Sequence, residues 1–84
     1  MSDIIRQRRE RRREFLRRLY EAVDGSVSMF VEAQAVAEGL DLDEAELRNI
    51  FQYLEEKGLV LVDDHRAGTL RITAAGVDAV ETEA

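Results

Sequence analysis

One segment constrains this chain more than any other. Leu47, Ile50, Phe51 and Leu54 recur at i, i+3, i+4 and i+7, a spacing that lines four large apolar side chains along one face of an α-helix. Such a helix, predicted over about residues 44–57, must press that face against a core built by its neighbours. In 84 residues only one core can be assembled. The chain has no cysteine, so neither a disulfide nor a thiolate metal site is available to brace it. Its 45% hydrophobic and 36% charged residues fit a folded helical domain and exclude a disordered tail. No apolar run approaches the roughly 20 residues needed to cross a bilayer, so no membrane partner is expected. The chain opens Met1-Ser2-Asp3 and turns basic at once, without the apolar stretch of a secretory signal. A cytoplasmic location is the expectation.

The neighbours of that helix can be read in turn. From Asp3 to Asp24 the sequence holds no Gly or Pro and is rich in Arg, Glu and Leu, which favours helix. Phe15, Leu16, Leu19, Tyr20 and Val23 form one apolar face of it. Arg8 and Arg12 stand where that face would continue back toward Ile5, so packing on the core is expected only from Phe15 onward, with the earlier turns in solvent or on a partner. Gly25 is the expected left-handed cap. Residues 27–30 read as a short edge strand and 31–38 as two turns of helix ended by Gly39. A capping box is available to the central helix in two registers, Asp41 with Glu44 or Asp43 with Glu46. Lys57-Gly58 closes that helix. Leu59 to Val62 and Thr69 to Ile72 form a β-hairpin about a turn at residues 64–68. Thr73 then caps a short helix over 74–80 that buries Val77 and Val80. The expected divisions are an Arg-rich helical extension (1–14), one domain (15–80) and a frayed tail (81–84).

Charge is distributed unevenly along this order. Residues 1–20 carry eight arginines against Asp3, Glu10 and Glu14, a balance of +5, while residues 21–84 carry four cations against fifteen acids, a balance of −11. The first stretch attracts polyanions and the second repels them unless it faces away. The Arg-rich helix therefore has three readings: an arm that tracks phosphates, a dimerisation helix that pairs with the acidic body of a second subunit, or a solvated surface.

Three fragments, in order, carry a resemblance. Val36-Ala37-Glu38-Gly39-Leu40 resembles the end of the first helix of a helix-turn-helix pair. Leu54-Glu55-Glu56-Lys57-Gly58-Leu59-Val60 resembles the exit from a recognition helix into a wing, and Leu70-Arg71-Ile72-Thr73-Ala74-Ala75-Gly76 a second wing strand entering a last helix. Over residues 14–80 the chain thus resembles the winged helix-turn-helix superfamily. The resemblance implies a mostly helical α+β fold with a three-helix core, a β-hairpin wing over about 59–72 and a short C-terminal helix. It also implies DNA binding and transcriptional regulation, with the recognition helix in the major groove and the wing tip on phosphate.

With Leu47, Ile50, Phe51 and Leu54 inward, the opposite face of the central helix presents Ala45, Arg48, Asn49, Gln52 and Glu56, with Tyr53 at its margin. Arg48, Asn49 and Gln52 are of the types that bond base edges. Arg66 at the hairpin turn and Arg9, Arg12 and Arg13 of the basic helix are the candidates for phosphate. Glu44, Glu46, Glu55 and Glu56 crowd the same helix, and they favour an alternative, a protein-interaction module that meets a basic partner through this helix and self-associates through the first. A homodimer through the N-terminal helix is expected in either case. His65 is the only histidine and has no ligand-spaced companions, so no metal site is expected. No phosphate loop or nucleophile-base pair occurs, and neither a cofactor nor an enzymatic activity is expected.

Overall fold

In the computed structural model, which describes residues 2–83, the central helix uses the second of its two capping boxes. The Asp43 carboxylate accepts the Glu46 backbone N–H, and the Glu46 side chain reaches back to the Asp43 N–H. Asp41 instead adopts φ +59°, which turns the chain into the helix. The fold is mostly helical α+β. The order is α1 (Ser2–Ala22), β1 (Val31–Glu32), α2 (Ala33–Val36), α3 (Glu44–Glu56), β2 (Val60–Asp64), β3 (Thr69–Ile72) and α4 (Ala74–Glu83).

The three strands form one antiparallel sheet in the order β1-β3-β2. Val60 pairs with Ile72, Leu61 with Arg71 and Val62 with Leu70, and an irregularity then brings Asp64 opposite Thr69. Alternation along the strands turns Val60, Val62, Leu70 and Ile72 inward and leaves Leu61 outside. They meet Leu47, Ile50, Phe51 and Leu54 of α3 and Phe15, Leu16 and Leu19 of α1 in a single core. Phe15, Leu19, Leu70 and Ile72 are wholly buried, so the core lies between α1, α3 and the inner face of the sheet.

The short strand is not where the alternation at residues 27–30 suggested. Ser26 and Ser28 form a hydroxyl-mediated turn, with the Ser28 N–H donating to the Ser26 Oγ, and such local bonds compete with a ladder. Val31 and Glu32 pair instead with Leu70 and Thr69. The Ala33 N–H then donates to the Gly68 carbonyl at 2.7 Å, which leaves α2 only four residues of the two turns expected.

Glycine is favoured by geometry at Gly58 and required at Gly76. Gly58 leaves α3 at φ +77°, as the Lys57-Gly58 exit predicts. Gly76 lies so close to the end of α3 that an added Cβ would stand 2.2 Å from the Leu59 carbonyl oxygen and 2.7 Å from Ile72 Cγ1. That contact seats α4 on the sheet, together with the Thr73 hydroxyl, which donates to the Gly58 carbonyl and accepts the Gly76 N–H. Helix α4 continues through Glu83 rather than fraying from residue 81. The Tyr20 hydroxyl donates to the Glu81 carboxylate at 2.7 Å and Arg13 pairs with Glu83 at 3.0 Å. Met1 and Ala84, the ends of the expected extension and tail, lie outside the described residues. No helix among the described residues is long and apolar enough to cross a membrane.

Helix α1 is one uninterrupted rod. Its 21 residues at about 1.5 Å each run most of the molecule's 38 Å length. Residues 2–10 are all exposed, as expected for turns that precede Phe15. The turns that follow are not free, because Arg11 and Arg12 lie against α3 and Arg13 lies against α4.

Candidate nucleic-acid interface

Because Leu47, Ile50, Phe51 and Leu54 are buried, the 3.6-residue repeat presents Ala45, Asn49, Gln52 and Glu56 to solvent along α3, and all four are exposed. Asn49 and Gln52 carry amides able to donate and accept. Arg48, on the hairpin side of this ridge, is half-buried. Its guanidinium donates to the carbonyl oxygens of His65 at 2.8 Å and Arg66 at 3.1 Å. The base-reading role the sequence suggested for Arg48 is thus at odds with its position, since its donors fasten the hairpin turn to α3.

The turn is held from other directions too. Asp64 Oδ1 accepts the backbone N–H groups of Arg66 and Ala67, and His65 Nε2 lies 2.9 and 3.1 Å from the two Glu55 carboxylate oxygens. Arg66 projects from this turn, exposed and without an ion pair among the described residues.

On the opposite flank of the ridge lies α1. Arg12 stacks on Tyr53 with its guanidinium carbon 3.9 Å from the ring centroid, a cation–π contact that immobilises the arginine. About two turns earlier on α3, Glu46 pairs with Arg11. Arg8, Arg11 and Arg12 line a cavity of about 140 Å³ with Glu46, Asn49 and Ile50. Arg9 is exposed and has no ion pair among the described residues. Arg13 does not join this flank, because its pairing with Glu83 directs it to α4. The sequence reading counted Arg12 among the phosphate candidates but not Arg8 or Arg11. The signal was the arginines at positions 8 and 12 continuing the apolar stripe of α1, since whatever extends a core-facing stripe must lie over the neighbouring helix.

These placements bear on the acidity of α3. Of Glu44, Glu46, Glu55 and Glu56, Glu46 is paired with Arg11 and Glu55 is hydrogen-bonded to His65. Other α1 acids face elsewhere. Glu14 pairs with Arg17 and Arg18, and Glu21 with Arg17. The Arg17 hydrogen bond holds the Glu14 carboxyl below its usual range, outweighing the opposing cost of burial, and Arg18 adds to the effect. Among the described residues no group of three or more His, Asp or Glu is arranged to hold a metal ion. Comparison with protein-family models, curated proteins and solved structures returns no match.

Proposed function

We propose that the protein is a winged helix-turn-helix DNA-binding regulator, with α2 and α3 as the helical pair, α3 as the recognition helix and the β2–β3 hairpin as the wing. One observation carries this reading. The exposed amides of Asn49 and Gln52 stand on a helix ridge flanked on one side by Arg8, Arg11 and Arg12 and on the other by Arg66. A ridge bearing amides suits the major groove, where Asn and Gln bond adenine, and guanidinium groups on both flanks suit the phosphates of the two strands. Partial masking of Glu46 and Glu55 lowers the repulsion that α3 would otherwise exert. The protein acts by binding and carries no catalytic role. It works in the cytoplasm as a homodimer through α1, so that two half-sites are read together.

The test is a titration against random-sequence duplex at two salt concentrations. With about four phosphate contacts, affinity should fall roughly 100-fold between about 50 and 200 mM salt. Absence of binding at the lower concentration would end this reading.

A second reading has its own support. Val27, Met29, Phe30 and Leu61 are exposed, and Arg71, which pairs with Leu61 across the sheet, donates to the Val27 carbonyl. Glu44 and Glu56 of α3 are exposed as well, without an ion pair among the described residues, and on a body of charge −11 they suit a module that meets a basic protein partner through α3. Loss of DNA binding together with retained self-association would favour it.

A further inference from the structure

The cavity between α1 and α3 gathers three arginines around a single acid. Arg8, Arg11 and Arg12 line about 140 Å³ together with Asn49 and Ile50, and Glu46 is the one acid in the lining. We infer that this cavity is a binding site for a single phosphate group, and that Glu46 is an internal counter-ion which the phosphate displaces from Arg11. The inference rests on the proposed DNA-binding role for its natural ligand, a backbone phosphate, but the site itself is defined by its own chemistry.

Three features favour the binding of a phosphate there, the first of them over a chloride ion. Guanidinium forks match the tetrahedral oxygens of a phosphate through paired N–H donors. Arg12 is already stacked on Tyr53, so little side-chain freedom remains to be lost on binding. Ile50 is buried beneath the cavity, so one wall is apolar and the attraction is stronger there than at a fully solvated surface. Glu46 holds Arg11 in place while the site is empty. It also weakens binding, because an incoming anion must compete with it.

This competition gives the site a distinctive signature. Glu46→Gln keeps the capping box, since Gln serves at that position as Glu does, but removes the competing charge. Binding should be measured to random duplex and, separately, to inorganic phosphate at constant ionic strength, with the arginine Nε resonances followed by NMR. Glu46→Gln should tighten duplex binding several-fold. Arg11→Ala should weaken it about 10-fold, and in the Arg11→Ala background Glu46→Gln should lose its benefit. Shifts of the Arg8 and Arg11 resonances with inorganic phosphate alone would assign the site to free phosphate as well as to a nucleic-acid backbone. Shifts with duplex only would assign it to the backbone. If phosphate moves these resonances while no duplex binds, the DNA-binding reading falls and the site stands. If duplex binds equally to the parent, Glu46→Gln and Arg11→Ala proteins, the site falls and the DNA-binding reading stands.

Discussion

Arg48 donates to the main-chain carbonyl of His65 at 2.8 Å across seventeen positions of sequence, so the outer face of α3 and the tip of the hairpin move as one piece. A second bond to the Arg66 carbonyl fixes where the Arg66 side chain leaves the turn. In the proposed interface Arg48 would act through Arg66, as a positioning residue.

Arg48→Ala should therefore cost about 1 kcal/mol of stability and speed hydrogen exchange at the Arg66, Ala67 and Gly68 amides. It should weaken binding to unrelated duplexes by a similar factor, leaving sequence preference unchanged. Loss confined to one duplex sequence would show that Arg48 reads a base.

Phe51 is 2% exposed and belongs to the single core formed by α1, α3 and the sheet. Phe51→Ala should cost about 3–5 kcal/mol, against a total of about 5–10 kcal/mol for a chain of this size. A urea titration followed by circular dichroism should show a much lower midpoint. A midpoint near the parent's would mean that the core does not depend on this ring.

Gly76→Ala should be as damaging as a large core truncation, although it adds one methyl group. Its Cβ would meet main chain at Leu59, which cannot rotate away as a side chain can, so α4 must lift from the sheet at a cost of about 3 kcal/mol. The Tyr20–Glu81 and Arg13–Glu83 contacts should loosen with it. Unchanged stability would show that α4 is not seated through this contact.

Two groups on α1 make stability depend on pH. The Tyr20 hydroxyl titrates above its usual value, chiefly because it donates to the Glu81 carboxylate, with burial and the charges of Glu81 and Asp24 adding to this. The folded state thus holds that proton more tightly than the unfolded state, and the resulting stability is lost as pH rises beyond the ordinary tyrosine range near 10. Glu14 has the opposite sign. Its lowered value gives stability above the ordinary glutamate range that disappears as pH falls through the folded value. Tyr20→Phe should flatten the alkaline limb of a stability–pH curve and Glu14→Gln the acid limb. A curve unaltered by either change would sink this assignment.

Most of the fold was legible because its signals are local. The α3 stripe, the Asp43 box, the Gly58 exit and the Thr73 cap each depend on residues within a few positions of one another. The short strand was misplaced by a few residues because its position is set by Leu70 and Thr69, nearly forty residues away, and by a serine turn that the alternation does not reveal. The candidate site was legible in part. Asn49 and Gln52 follow from the helical repeat alone. Arg48 was assigned a free side chain because its partners are main-chain carbonyls, which have no residue type to recognise in sequence. Arg12 and Arg13 looked equivalent as neighbours, yet a step of about 100° along a helix sends one to Tyr53 and the other to Glu83.

The same rod that anchors Phe15 and Leu19 carries the arginines, so their direction is set by helical phase and not by length. A single alanine inserted after Arg13 would leave every core side chain its neighbours while rotating Arg8, Arg11 and Arg12 by about 100°, away from α3. The positive flank of this molecule is thus geared to its interior, and a sequence can keep the fold yet lose the surface by one residue.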